Sequence, residues 1–79
     1  MRKFNVGDTV RCSDYVLREK KDNFLTADIN SRLRLSAERA YQKCLALRGI
    51  VQKIIPGGIE VLDSEGILYK SADYMWEKD

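Results

Sequence analysis

The chain has 79 residues, with 14 Lys/Arg, 12 Asp/Glu and no histidine, for a net charge of +2. That length serves one domain with a small core, because a chain of this size hides only about 60% of the surface its unfolded form exposes. Cys12 and Cys44 lie outside any CxxC spacing and have no histidine to complete a zinc set, so neither a metal nor a cofactor is expected.

In chain order, Phe4, Val6, Val10 and Cys12 stand two apart on either side of a Gly7-Asp8 turn. This predicts a half-buried strand, best defined over residues 8–12. Residues 13–31 have mixed polarity, with charges at Arg18, Glu19, Lys20, Lys21 and Asp22, and are expected to form a long excursion with at most a short helical turn. An amphipathic helix follows, because Ala37, Ala40, Tyr41, Cys44 and Leu47 recur at three- and four-residue spacing. Ser36 is one cap for it, with Glu38 in the first turn where the helix dipole favours negative charge. Leu33 extends the same stripe by a turn, so a start near Ser31 is the other reading. Gly49 either ends this helix or belongs to the next strand.

The β-branched run Ile50, Val51, Ile54 and Ile55 predicts a strand ending at the Pro56-Gly57-Gly58 turn. Residues 59–62 supply its hairpin partner, Asp63-Ser64-Glu65-Gly66 a second turn, and residues 67–69 another strand. A single helical turn over 71–74 then leads to a last short strand over 75–77. The expected fold is mainly β: five short strands closing into a small barrel, with one helix inserted between strands 1 and 2. In this reading the chain is a single domain over residues 1–79, and the insertion, residues 13–47, lays its apolar side on the barrel and enlarges the core.

Val6-Gly7-Asp8-Thr9-Val10, Arg48-Gly49-Ile50-Val51, Ile59-Glu60-Val61 and Tyr74-Met75-Trp76-Glu77, in that order, resemble the SH3-like barrels of the KOW and related bacterial and phage types. The resemblance covers residues 4–12 and 48–77 and is similar in feel to small phage and prophage proteins. It implies a five-stranded SH3-like small barrel. The chain lacks the ALYDY-type segment and mid-chain tryptophan of peptide-binding SH3 domains, so recognition of proline-rich peptides is not implied. The long insertion departs from the KOW pattern and is where an added function is expected.

No phosphate-binding glycine loop, Ser-x-x-Lys pair or Gly-x-Ser-x-Gly elbow occurs, and a nucleophile would have no histidine as its base, so no enzymatic activity is expected. No apolar run approaches the roughly 20 residues that span a bilayer, and no membrane role is expected. The start lacks a signal-peptide pattern, which favours a cytoplasmic protein with both thiols reduced, although the sequence leaves a single disulfide between them open.

A non-catalytic binding module is therefore expected, recognising a protein partner as an adaptor or small modulator through Tyr69, Tyr74 and Trp76, aromatics of the type enriched at hot spots. The competing reading for Trp76 is a plug at one end of the core. The alternative function is nucleic-acid binding through the basic helix, with Arg32, Arg34, Arg39, Lys43 and Arg48 as phosphate contacts and Tyr15 or Tyr41 as stacking platforms. No small-molecule substrate is expected. Residues 1–55 carry +6 and residues 56–79 carry −4, which folding either separates into a basic and an acidic face or intersperses.

Overall fold

The computed structural model describes residues 3–79. Its elements run β1 (Thr9–Cys12), α1 (Asp14–Thr26), α2 (Arg32–Ala46), β2 (Arg48–Ile55), β3 (Gly58–Asp63), β4 (Leu68–Ala72), a 3-10 turn (Asp73–Met75) and β5 (Trp76–Lys78). The five strands form one antiparallel sheet in the order β4-β3-β2-β1-β5.

Two expectations are corrected. The segment after β1 is a 13-residue helix and not an irregular excursion. Ser13 caps it, its Oγ accepting from the Val16 N–H at 3.4 Å while its own N–H donates to the Met75 carbonyl at 2.9 Å. No glycine or proline occurs between Gly7 and Gly49, so nothing in the backbone interrupts helix formation there. Ser31, rather than Ser36, caps α2, accepting from the Leu33 N–H at 3.0 Å. With helices of 13 and 15 residues beside strands of 4, 8, 6, 5 and 3, the five-stranded antiparallel sheet is as expected, but the domain carries about as much helix as strand, so the mainly-β expectation holds in part.

The second correction concerns packing. The two helices form a hairpin that packs mostly on itself: Phe24 stacks on Tyr41 at 6.4 Å, and the Arg34 guanidinium lies 4.7 Å over the Phe24 ring. Val16 is the only buried residue of α1, and α2 has none. The apolar stripe therefore reaches the sheet's core only at its far end, where Leu47 packs against it. Leu33, Ala37 and Ala40 instead line a shallow surface groove beside Lys20 and Asn23 of α1 and Ala27 just after it. The molecule is accordingly elongated, 44 × 26 × 19 Å.

The core lies inside the sheet. Phe4, Val10, Val51, Ile59, Val61 and Trp76 are buried together, with Leu47, Ile54, Tyr69 and Met75 packed around them. The period of two is plain along β2, where Gly49 and Val51 point inward and Arg48, Ile50 and Gln52 outward. A bulge between Val51 and Lys53 sets two residues of β2 against one of β3, which bends the strand. The bending is large. Edge strands of a flat five-stranded sheet stand about 19 Å apart, yet β4 and β5 are joined by a 3-10 turn of three residues rising about 2 Å each. Trp76 Nε1 of β5 donates to Ser71 Oγ of β4 at 2.6 Å, so the two edges touch through side chains.

The turn after β3 is organised by one carboxylate. Asp63 Oδ1 accepts from the Glu65 and Ile67 N–H groups, both at 2.9 Å, and Oδ2 accepts from the Tyr69 hydroxyl at 3.2 Å. The Ile67 N–H above all, with Glu65 and Tyr69, holds this carboxyl below its ordinary value, while burial first, and then the hydrogen bond to this carboxylate, push the Tyr69 phenol up. A depressed folded-state carboxyl stabilises above its unfolded pKa, and that contribution fades as pH falls through the folded value. Asp63→Ala is therefore expected to lower the melting temperature at neutral pH and to flatten the acid limb of the stability profile. Identical acid limbs in wild type and variant would refute this role.

Candidate binding surfaces

The outer face of the sheet is read directly from the strand register. Thr9 pairs with Ile50, Ile50 with Leu62, and Leu62 with Leu68, so one row crosses β1, β2, β3 and β4. Residues in register stand about 4.5–5.5 Å apart, which makes Ile50, Leu62 and Leu68 a contiguous apolar strip. Ile50 and Leu68 are each 48% exposed. Charge borders the strip on both sides. On one side, Glu77 of β5, Arg11 of β1 and Arg48 of β2 stand in register. On the other, Lys53, Glu60 and Lys70 do, with Lys70 and Glu60 paired at 3.6 Å. A depression of about 280 Å³ lies at the β1–β2–β3 end of the strip, lined by Thr9, Arg48, Gly49, Ile50, Gln52, Leu62, Asp63 and Ser64. Gly49 stays free of a side chain because a Cβ there would meet the Val61 side chain and the Leu62 carbonyl oxygen, the latter at 2.9 Å.

The structure divides the five predicted basic residues. Arg34 is engaged in the hairpin, stacking on Phe24 and donating through Nη1 to the Ala27 carbonyl at 3.3 Å. Arg48 donates to the Leu45 and Leu47 carbonyls at 3.0 and 2.8 Å and pairs with Asp79 at 3.1 Å. It thereby satisfies carbonyls left open at the end of α2 and ties that end to the end of β5. Arg32, Arg39 and Lys43 are exposed and, at spacings of seven and four residues, follow one side of α2. Among the described residues, none of these three has a carboxylate within ion-pairing distance, and all four ion pairs lie on the sheet.

The aromatics separate in the same way. Trp76 is 4% exposed, within the core and edge-on to Tyr69 at 6.0 Å, which is the plug reading and not a surface anchor. Tyr69 is half-buried with its hydroxyl held by Asp63. Tyr74 is exposed, edge-on to the exposed Tyr15 at 5.5 Å. Tyr41 stacks on Phe24, so its ring is engaged inside the hairpin.

The lengthwise charge asymmetry does not become two opposed faces. Arg11–Glu77 and Arg48–Asp79, each at 3.1 Å, and Lys78–Asp8 at 3.6 Å join the basic first part of the chain to the acidic last part. The pairing of β5 with β1 brings those parts together.

Sequence reasoning missed the outer strip, because Ile50, Leu62 and Leu68 are far apart along the chain and each looks like ordinary strand composition. The alternation along β2, with Ile50 on the face opposite Val51, was the available signal. No helix among the described residues is long and apolar enough to cross a membrane. Comparison with protein-family models, curated proteins and solved structures finds no match to this chain.

Proposed function

We propose that this protein is a non-catalytic, cofactor-free binding module, built on an SH3-like small barrel, that docks a protein partner on the outer face of its sheet. The barrel reading is supported by the strand order, by the bulge in β2, and by the single 3-10 turn joining the two edge strands. The observation that carries the binding reading is the strip Ile50–Leu62–Leu68. Contiguous exposed apolar surface with a charged border is characteristic of protein contact sites, since burying it releases water while the rim sets the orientation. The fitting partner presents an apolar segment about as wide as three strands.

Ile50→Asp with Leu68→Asp places charge on this strip without entering the core. The double variant is expected to keep the wild-type circular dichroism spectrum and to lose a partner that wild type retains from nuclease-treated lysate. A partner retained equally by both would remove the strip from consideration. The exposed Arg32, Arg39 and Lys43 favour a second reading, contact with nucleic-acid phosphates along α2. In that case binding to a mixed nucleic-acid pool falls steeply with salt and disappears with Arg39→Glu and Lys43→Glu, while the strip variant binds normally.

A further inference from the structure

One side of the helical hairpin carries a shallow groove between α1 and α2, with Lys20 toward the sheet, Ala27 and Leu33 toward the tip, and the small residues Ser36, Ala37 and Ala40 along α2. Leu33 is 74% exposed. The two borders of this groove differ in charge. Ser36 belongs to the row Arg32, Ser36, Arg39 and Lys43, spaced by four, three and four residues, so the three exposed cations of α2 form one border. Asn23 belongs to the row Glu19, Asn23 and Thr26, spaced by four and three, which makes the α1 border acidic. Every border residue is exposed. Among the described residues, neither Glu19 nor the three cations of α2 has an ion-pair partner.

We infer that this face is a self-association surface, on which a second copy of the chain docks its own hairpin, with α1 of each copy against α2 of the other. A groove floor of small and apolar residues between an acidic and a basic border is complementary to itself, because a two-fold axis running along the hairpin sets each border against its opposite. Glu19 stands early in α1 and Lys43 late in α2, so both lie toward the sheet, and Glu19 of one copy faces Lys43 of the partner subunit. Stacking α2 on α2 would set cations on cations instead. That arrangement is disfavoured by charge.

Small side chains in the groove let the facing helices approach closely. Helices of 13 and 15 residues, lying side by side, offer a face of about 20 × 20 Å. This is the low end of specific interfaces, so the dimer dissociates on dilution. The contact uses none of Ile50, Leu62 and Leu68 and stands apart from the partner site proposed on the sheet.

The test is sedimentation velocity of the purified full chain, free of nucleic acid, from low micromolar to millimolar concentration. The expected result is a reversible monomer–dimer equilibrium that weakens with added salt. Ser36→Arg puts a long cation into the groove from an exposed position and brings a better helix former, so it should keep the wild-type circular dichroism spectrum and stay monomeric. Lys43→Glu should weaken the dimer about tenfold, and adding Glu19→Lys should restore it. Ile50→Asp with Leu68→Asp should dimerise as wild type does. A wild type still monomeric at millimolar concentration, a dimer insensitive to Ser36→Arg, a charge swap that recovers nothing, or a dimer lost in the strip variant would each overturn the inference.

Discussion

Trp76→Ala is expected to leave the protein largely unfolded or melting far below wild type. Trp76 is buried in the core cluster, edge-on to Tyr69 and donating to Ser71. Truncating a buried tryptophan costs about 3–5 kcal/mol in lost burial and residual cavity. A small domain holds a net stability toward the low end of about 5–15 kcal/mol, so this one side chain accounts for much of the total. No helix of the insertion compensates, because the hairpin adds only Val16 to the buried set outside the sheet. Trp76→Phe keeps most of the apolar volume and loses the hydrogen bond to Ser71, so it should fall between wild type and alanine. Urea unfolding followed by circular dichroism orders the three proteins. An alanine variant melting within a few degrees of wild type would show that the core does not depend on Trp76.

Gly58→Ala should cost more than Gly57→Ala, although the two glycines are neighbours in one turn. Gly58 is buried at the start of β3 and pairs with Ala72 of β4; a Cβ there would run into the Ser71 carbonyl oxygen and crowd the Ala72 Cα at 3.3 Å. Those obstacles are backbone atoms of a paired strand, and they cannot swing aside as a side chain does. The β3–β4 ladder must part locally, at about 3 kcal/mol, the upper end of the range for overpacking. Gly57 has open space around it and a φ of +75°, so alanine there meets only the left-handed backbone cost of about 1–2 kcal/mol. Chemical denaturation midpoints and amide exchange along β4 separate the cases: Gly58→Ala alone should expose β4 amides. Equal midpoints, or a larger loss at Gly57, would contradict the close approach of β3 and β4.

The strands were legible in the sequence because their signals are local. Alternation along Phe4 to Cys12, the β-branched run to Ile55, and the turns at Pro56-Gly57-Gly58 and Asp63 to Gly66 placed all five within a few residues of β1, β2, β3, β4 and β5. The short helical turn before the last strand was visible for the same reason. The first helix was not. Its inward positions include Lys20 between Val16 and Phe24, and a charged residue at the centre of the stripe hides the helical period that its neighbours would otherwise show.

What the sequence determined by itself was the five strands and the second helix, the lack of histidine chemistry and the alternation that builds a sheet core. Where α2 laid its apolar stripe, which cations remained exposed, and which aromatics reached the surface were decided only by the tertiary structure. The physical reason is that a helical stripe or a basic residue states what it can pack or pair with, but not with what. Arg34 and Arg48 became ties within the fold because α1 and the end of β5 arrived beside them, whereas among the described residues Arg32, Arg39 and Lys43 have no carboxylate within ion-pairing distance. In the same way, Ile50, Leu62 and Leu68 became one surface only when strand register brought distant residues side by side.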